Sequence, residues 1–397
     1  MKLLFIQGGT RLKVDDENNW YTDGNFSESV WKRYTSVCDS LTVILRREDK
    51  VYKKEDAESR FNYFNSNEIR LIPLKDIYSP ISRYFSLSNR REIDSILERE
   101  VKAADRVIIR SIITYYTIKT WELCVKYNKK YCVEVTGVAW DAHWYHSLRG
   151  KLTALSTEMG VKKRVIDAPY ALYVTQNDLQ KRYPCKGITV GCSNVELECI
   201  DSEAVEKRMA HIRASKEKIV IGTLGHYGLK TKGQKLVIRA ISKLQSEGIT
   251  NIYYELVGTG DNKLLIQEAK KCGVFDKIIF RGSMPHDQVF EWLESIDIYI
   301  QPSYQEGLCR SVVEAMSKAC PVITSDACGE SELANPEFIF KRGDWRKLSQ
   351  LIKNMIDKNE VQLIQEAKRG YNVSLNYKKD FLDERRHQFY SSFVSDK

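Results

Sequence analysis

Residues 302–316 read PSYQEGLCRSVVEAM, and this stretch predicts a strand end, a loop and a helix start in close succession. The apolar residues 296–300 before it are typical of a buried strand, which Pro302 ends. An apolar pattern at helical spacing then follows over residues 312–316. A strand that passes into a helix is the repeating unit of α/β folds. Because the first turn of a helix carries unpaired backbone N–H groups, we expect an anion-binding site here.

Two carboxylates, Glu306 and Glu314, lie in this stretch. At about 100° per residue their separation exceeds two helical turns, so they do not align on one face and could contact different parts of one long ligand. A second interpretation stays open on the residues alone. In it, Ser303 and Glu306 form a capping box and Glu314 is a solvated helix residue.

The spacing of Glu306 and Glu314 resembles the E-x7-E motif of the retaining glycosyltransferases of family 4, which have the GT-B fold. The resemblance implies that Glu306 meets the transferred sugar and that Glu314 holds the nucleotide ribose. It also implies that the intervening helix N-terminus, with Gly307, Leu308 and Cys309, faces the diphosphate.

Length and composition suit such a protein. A chain of 397 residues is long for one core and predicts two domains. Hydrophobic residues at 43% and charged residues at 29% are typical of a globular protein, and no run is long and apolar enough for a membrane span or a signal peptide. We therefore predict a cytoplasmic protein. The net charge of +9 does not favour nucleic acid as a partner, but it suits an anionic small molecule or an anionic membrane surface.

No metal site is predicted. The ten cysteines form no CxxC pair, and Cys185, Cys192 and Cys199 have no histidine partners at ligand spacing. No Asp-x-Asp pair stands at a predicted strand end, so we expect no divalent cation on the diphosphate and no other cofactor.

Short apolar strands alternate with helical patterns along the whole chain, which favours parallel sheets of the doubly wound kind. The fold class we predict is α/β, with two Rossmann-like domains facing a cleft, the GT-B arrangement. Residues 1–200 would bind the acceptor and residues 201–376 the nucleotide sugar, while a helix at about 377–397 would pack back on the first domain. The predicted strands span residues 3–6, 41–45, 69–73, 106–110, 131–135, 171–174, 219–223, 253–257, 277–281, 296–300 and 321–324.

The second half carries further family-like features. Gly222–Gly225 followed by Lys232 resembles the phosphate-binding entry to this domain, where a lysine stabilises the departing diphosphate. The alternative for Lys232 is an ordinary surface lysine. His226 stands where the family usually has an arginine, so either His226 acts as a hydrogen-bond donor or Lys230 supplies the charge.

Gly258, Arg281 and Ser283 follow two more predicted strands and resemble the turns that surround the nucleotide. Alone, each would be read as a plain turn. We interpret residues 321–323 and 329–333 as packing and helix-capping segments.

The first half is less specific. Gly8 and Gly9 follow the first strand and are candidates for approach to the nucleotide sugar, although the GxGxxG fingerprint is lacking. Arg110 either meets a substrate or caps a helix. Asp141 and His143 follow the strand at residues 131–135 and are acceptor-binding candidates, with capping as the alternative for Asp141.

Residues 140–164 combine apolar and basic positions. Trp144, Leu148, Leu152 and Leu155 recur at helical spacing, with cations around them at Arg149, Lys151, Lys162, Lys163 and Arg164. This pattern indicates either a core-facing helix or a basic surface that attaches the protein to the inner face of the membrane.

The function we predict is retaining transfer of a sugar from a nucleotide diphosphate sugar to a hydroxyl. The resemblance implies a lipid-linked or oligosaccharide acceptor in a bacterial surface polysaccharide, and a front-side displacement without a protein nucleophile. Two alternatives remain: a nucleotide-sugar epimerase or phosphorylase on the same fold, and a non-catalytic nucleotide-sugar or membrane-binding protein.

Overall fold

The computed structural model describes residues 1–22, 26–214 and 217–396. The chain divides into two compact units. The first comprises residues 1–139, 155–192 and 383–397, and the second comprises residues 140–154 and 193–382.

The described strands of the first unit form a nine-stranded sheet in the order β4-β2-β1-β6-β7-β8-β9, with β3 between β1 and β5. All pairs are parallel except β1–β2 and β2–β4. Every residue of β7 and β8 is buried, as expected for parallel strands covered on both faces. The strands are β1 Lys2–Asp15, β2 Trp20–Thr22, β3 Ser40–Tyr52, β4 Asn62–Tyr63, β5 Arg70–Lys75, β6 Arg106–Arg110, β7 Tyr131–Val135, β8 Tyr170–Tyr173 and β9 Ile188–Gly191.

Helices connect these strands, and the last helix of the chain returns to them. In that helix, Tyr390 donates a hydrogen bond to buried Glu134 of β7, and Phe389 and Phe393 pack edge-on against Tyr170 of β8. The α-helices up to residue 213 are α1 Glu28–Thr35, α2 Lys54–Glu58, α3 Leu87–Ala103, α4 Tyr115–Lys126, α5 Ala139–Trp144, α6 Leu148–Ile166, α7 Asp178–Arg182 and α8 Ala204–Arg213.

The described strands of the second unit form a six-stranded parallel sheet in the order β12-β11-β10-β13-β14-β15. Its core joins β10, β11 and β13 to the apolar faces of two helices, α9 and α14. The strands are β10 Ile219–Leu224, β11 Ile252–Val257, β12 Ile278–Gly282, β13 Ile298–Gln301, β14 Val322–Ser325 and β15 Ile339–Phe340. The helices of this unit are α9 Gln234–Ser246, α10 Lys263–Lys271, α11 His286–Ser295, α12 Arg310–Ser317, α13 Glu330–Leu333, α14 Trp345–Ile356 and α15 Glu360–Ser374. The last helix of the chain is α16 Lys379–Ser395, which belongs to the first unit from Asp383 on.

The division between the units differs from the predicted boundary at residue 200. It falls between Cys192 and Ser193, because Leu197 exchanges backbone hydrogen bonds with Tyr377 and Lys379 of the second unit. Residues 140–154 also group with the second unit.

The prediction that the first strand ends in a turn at Gly8 and Gly9 is wrong. Strand β1 continues through both glycines to Asp15, and its register against β3 shifts between Gln7 and Arg11. The glycines therefore form an irregularity inside a long strand, of the kind that β-bulges produce.

Among the described residues, no helix is both long enough and apolar enough to cross a membrane.

Candidate functional site

The loop between β13 and α12 brings the two candidate glutamates into different surroundings. Helix α12 begins at Arg310 with Cys309 as its N-cap, so Ser303 does not cap it and the capping-box interpretation is wrong. Instead, the Ser303 hydroxyl donates to Oε1 of Glu306 at 2.7 Å. Glu306 thus lies in the loop and Glu314 within the helix, as the spacing predicted.

The half-buried Glu306 carboxylate is fixed on one side. Its Oε1 accepts from Lys232 Nζ at 2.8 Å and from Gln301 Nε2 at 3.3 Å, in addition to Ser303. Burial by itself lowers the pKa of Lys232, but the Glu306 carboxylate raises it above its usual range, so the ammonium stays charged. Within the described chain no donor reaches Oε2 of Glu306, which leaves that oxygen for a ligand.

Glu314 is only 4% exposed and is therefore not the solvated residue of the alternative interpretation. Burial raises the pKa of its carboxyl above the usual range, and a contact of 3.1 Å from Oε1 to His286 Nε2 opposes that shift. His286 opens α11, after β12. The sequence did not single it out, and its place after a strand end was the available signal.

The backbone N–H groups at the start of α12 lack partners. Gly307, Leu308 and Cys309 donate to no acceptor among the residues that the structure describes. Strand β13 lies beside β10 at the centre of the sheet, where the strand order reverses, and ligands bind at this place in open parallel sheets. Lys232, Glu306 and these N–H groups thus combine positive charge with one positioned carboxylate.

Two glycines after β11, Gly258 and Gly260, lie close to the end of β10. Gly258 has φ +153°, and a Cβ there would lie 2.2 Å from the Gly225 carbonyl oxygen, so only glycine fits. A Cβ on Gly260 would meet the ring of His226, which is exposed and accepts from the Gly228 N–H through Nδ1 at 3.1 Å. With Nδ1 accepting, Nε2 of His226 is the nitrogen that can donate to a ligand.

Arg281 and Ser283 lie at the end of β12 and just beyond it, and both are exposed. Arg281 is paired with Glu255 at 2.5 Å, and the second oxygen of Glu255 accepts from Trp292 Nε1 at 2.8 Å. The guanidinium is thus held by Glu255 at the edge strand of the sheet and is partly exposed.

Lys230 lies apart from the Lys232–Glu306 pair. It is exposed and lines a cavity of about 420 Å³ together with Tyr145, Arg239 and Tyr304. The structure therefore favours Lys232 over Lys230 as the cation beside Glu306.

In the first unit, Gly8 lies against the start of α4. A Cβ on Gly8 would be 2.0 Å from Oγ1 of Thr114, the N-cap of α4, so glycine permits close approach to that helix end. Gly9 accepts from Arg46 through its carbonyl oxygen at 2.8 Å.

The prediction that Arg110 contacts a substrate is wrong for the described structure. Its guanidinium is buried, pairs with Glu134 at 3.2 Å, and lies over the ring of Phe26 and near the Tyr34 hydroxyl. Arg110 thus neutralises an interior carboxylate.

Asp141 and His143 are also committed to protein partners. Asp141 is buried and pairs with Arg342 Nη1 at 2.8 Å, which corrects its assignment as an open acceptor-binding group. His143 is half-buried, and its Nδ1 lies 3.0 Å from the Thr153 hydroxyl. Burial lowers the pKa of His143, so the ring is neutral near pH 7.

No group of three or more His, Cys, Asp and Glu side chains with metal-binding geometry occurs among the described residues.

Comparison with known proteins identifies the class. Residues 205–370 match the family Glycosyl transferases group 1. The chain is also 34% identical over 399 residues to Protein CapJ of Staphylococcus aureus, with 96% of each chain covered. The chain belongs to this family of glycosyltransferases.

Solved structures agree with the fold. Anabaena HepE in complex with UDP has a TM-score of 0.64 at 15% identity, covering 99% of this chain and 100% of that one. The lipopolysaccharide outer core galactosyltransferase WaaB has a TM-score of 0.63 at 15% identity, covering 99% of both chains. The predicted GT-B fold is thereby confirmed.

Proposed function

We propose that this glycosyltransferase moves a sugar from a nucleotide diphosphate sugar to a hydroxyl acceptor with retention of anomeric configuration. The observation that supports this most strongly is the contact between Lys232 and Glu306 beside the unpaired N–H groups of α12. That combination provides positive charge for a diphosphate and a carboxylate oxygen for a sugar hydroxyl. HepE, whose structure contains UDP, supports a nucleotide donor.

Each residue then has a defined task. Glu314, buried one helical turn into α12, accepts hydrogen bonds from the ribose hydroxyls. Lys232 and the N–H groups of Gly307, Leu308 and Cys309 stabilise the negative charge of the departing diphosphate. Glu306 orients the transferred sugar through Oε2.

The chemical step needs no protein nucleophile. In a front-side displacement the bond from the anomeric carbon to the diphosphate breaks as the acceptor oxygen forms the new bond on the same face. The departing diphosphate oxygen takes the acceptor proton. We propose that Lys232 and the helix N-terminus supply the charge stabilisation, so that turnover is unchanged by EDTA.

The acceptor is proposed to be a lipid-linked or oligosaccharide intermediate of a bacterial surface polysaccharide. WaaB, whose name places it in lipopolysaccharide core assembly, supports this class. Such an acceptor would be met in the cytoplasm, at the inner face of the membrane.

A thermal-shift screen with uridine, guanosine and other nucleotide diphosphate sugars tests this proposal. A ligand at 100 times its dissociation constant should stabilise the protein by about 2.7 kcal/mol. When the stabilising donor is incubated with candidate acceptors, nucleoside diphosphate should be released. The new glycosidic bond should have the same anomeric configuration as the donor. Release of epimer or sugar phosphate from donor alone would instead indicate an epimerase or a phosphorylase. No stabilisation by any nucleotide sugar would overturn the proposal.

A further inference from the structure

Glu330 is a buried carboxyl group without a partner. It is the first residue of α13, which follows β14 at the same sheet edge as the β13–α12 loop. Its side chain is fully buried, and neither carboxyl oxygen has a hydrogen-bond partner in the structure. A buried carboxyl in this state destabilises a protein, so a partner that arrives only with a ligand is a physical explanation for it.

The position of Glu330 connects it to the proposed donor site. Gly329 has φ +81°, and a Cβ there would lie 2.4 Å from the Gly307 carbonyl oxygen and 3.1 Å from Leu308 Cα. The segment that carries Glu330 therefore packs directly on the loop that carries Glu306. No residue other than glycine fits at position 329 without displacing that loop.

The charges nearby determine the protonation state of Glu330. Burial raises the pKa of its carboxyl well above the usual range, the negative charge of Glu306 raises it further, and Lys232 lowers it. Lys232 is already paired with Glu306. Burial thus favours the neutral acid form of Glu330, which has one O–H donor and one carbonyl acceptor.

A sugar hydroxyl matches that pair of groups, since it too both donates and accepts. A diphosphate oxygen only accepts hydrogen bonds, and Lys232 and the N–H groups at the start of α12 can donate them. Glu306, the neighbour of Glu330, is the residue proposed to orient the sugar. The hydrogen-bonding capacity that Glu330 offers therefore suits the sugar better than the diphosphate.

We propose that Glu330 is a specificity-determining residue that hydrogen-bonds a hydroxyl of the transferred sugar when the donor is bound. This inference rests on the proposed function. Because the carboxyl is fully buried, the contact requires a shift of the loop at residues 305–309. Within the described chain the backbone N–H groups of Gly307, Leu308 and Cys309 make no hydrogen bonds, so such a shift would break none of theirs.

The experiment compares Glu330→Met and Glu330→Gln with the wild type. Isothermal titration measures binding of UDP-glucose, UDP-N-acetylglucosamine and GDP-mannose and of the sugar-free UDP and GDP. Glu330→Met keeps the volume and removes the polar atoms. It should weaken binding of the nucleotide sugar by about three- to tenfold, because one or two hydrogen bonds are lost. The Kd of the sugar-free nucleotide should stay within about twofold of wild type. Glu330→Gln, which can still donate and accept, should stay closer to wild type.

A matched control is Glu366→Met. Glu366 is also buried, but its oxygens accept from Arg369 and Asn335. Replacing Glu366 should lower Tm and leave the ratio of the affinities for nucleotide sugar and sugar-free nucleotide unchanged. Glu330→Met should instead raise Tm, because an unsatisfied buried group is removed.

The outcomes separate the two levels of inference. If the wild type binds no nucleotide sugar, the proposed function fails. If the wild type binds one and Glu330→Met weakens sugar-bearing and sugar-free nucleotides alike, or neither, the assignment of Glu330 alone is overturned.

Discussion

At the residue scale, Glu306 and Glu314 are prepared for different partners. Glu306 keeps a charged lysine at 2.8 Å and leaves one oxygen open. Glu314 is almost fully buried, with His286 as its neighbour. A buried carboxyl gains most from hydroxyl donors, which satisfy it without a full countercharge.

Replacing Glu314 with Ala should therefore weaken nucleotide binding. Loss of hydrogen bonds to a charged group costs about 1.5–3 kcal/mol, which corresponds to roughly tenfold to a hundredfold in Kd. Isothermal titration with the nucleoside diphosphate measures this. Glu291→Ala, on the exposed side of α11, is the control. An unchanged Kd in a folded Glu314→Ala protein would remove Glu314 from the nucleotide site.

Lys232→Ala should lower the transfer rate by about a hundredfold, as for a lost preorganised donor to a developing charge. Lys230→Ala is the matched control, because Lys230 lies in the same short 3-10 helix but lines the cavity of Tyr145 and Tyr304. Turnover under saturating donor is the measurement. A large loss in Lys230→Ala with a mild one in Lys232→Ala would show that the catalytic cation had been assigned to the wrong lysine.

The stability of the protein should depend on pH through Glu330. In the unfolded chain this carboxyl ionises near pH 4.5, while burial raises its pKa well above that value in the folded protein. The free energy of unfolding should therefore be least affected by Glu330 below about pH 4.5 and should fall as the pH rises from there towards the folded pKa.

Glu330→Gln stays neutral, so its stability advantage over wild type should grow as the pH rises above about 4.5, by up to about 1.4 kcal/mol per pH unit. Urea unfolding across this range is the measurement, with the exposed Glu291→Gln as control. A constant difference between Glu330→Gln and wild type would mean that Glu330 ionises at an ordinary pKa.

Sequence patterns located some of these residues and not their partners. Glu306, Glu314 and Lys232 could be predicted because strand ends and helix starts have local signals. His286 had only its place after a strand end as a signal. The pairing of His286 with Glu314 and of Arg342 with Asp141 could not be predicted, since the partners are distant in sequence. Arg110 was misread for the same reason, because its partner Glu134 lies on the neighbouring strand.

At the scale of elements, each predicted strand corresponds to an observed one, since parallel buried strands have continuous apolar runs. The strands that escaped prediction are β2, β4, β9 and β15, which are two to four residues long. Such segments carry too little pattern and are defined by tertiary pairing.

Helix α6 was correctly predicted to be helical, but the sequence pattern did not identify which of its faces is buried. Its interior face is Ala154, Glu158, Val161 and Val165. The apolar stripe is exposed instead, at 81% for Leu148, 86% for Leu152, 62% for Leu155 and 59% for Met159. The core-facing interpretation of that stripe is therefore wrong.

The two ends of the predicted stripe, Trp144 and Arg164, also differ from the prediction. Trp144 belongs to α5 and stacks on Trp140. Arg164 is half-buried against Trp121 and is not an exposed cation. The exposed leucines with Arg149, Lys151, Lys162 and Lys163 remain, and they suit an anionic lipid surface.

We expect the protein to co-sediment with vesicles that contain anionic phosphatidylglycerol, and less with neutral vesicles or at high salt. Each cation near such a surface contributes about 1 kcal/mol, so Lys162→Gln with Lys163→Gln should weaken binding by roughly tenfold or more. Leu152→Ser should weaken it further by removing buried apolar area. The control replaces two exposed cations of α14, Arg346 and Lys347, with Gln. Equal binding to neutral and anionic vesicles would contradict the membrane proposal.

At the scale of the whole molecule, the chain repeats one architecture in two units, and the α/β alternation made that predictable. The boundary was harder to place because residues 193–200 look like a linker but pair with residues 377–379. Residues 140–154 group with the second unit, where Asp141 contacts Arg342 and Tyr145 contacts Tyr304. No local sequence pattern predicts these contacts.

We propose that the edge of the second sheet holds a nucleotide diphosphate between Glu314, the start of α12 and Lys232. A crystal structure of the wild-type protein with UDP or GDP bound tests it most directly. The ribose hydroxyls should lie within hydrogen-bond distance of the Glu314 carboxylate, and the diphosphate should contact the N–H groups of residues 307–309 and Lys232 Nζ. A nucleotide bound at Gly8 in the first unit, or in the cavity of Tyr145 and Tyr304, with Glu314 still paired to His286, would contradict the account.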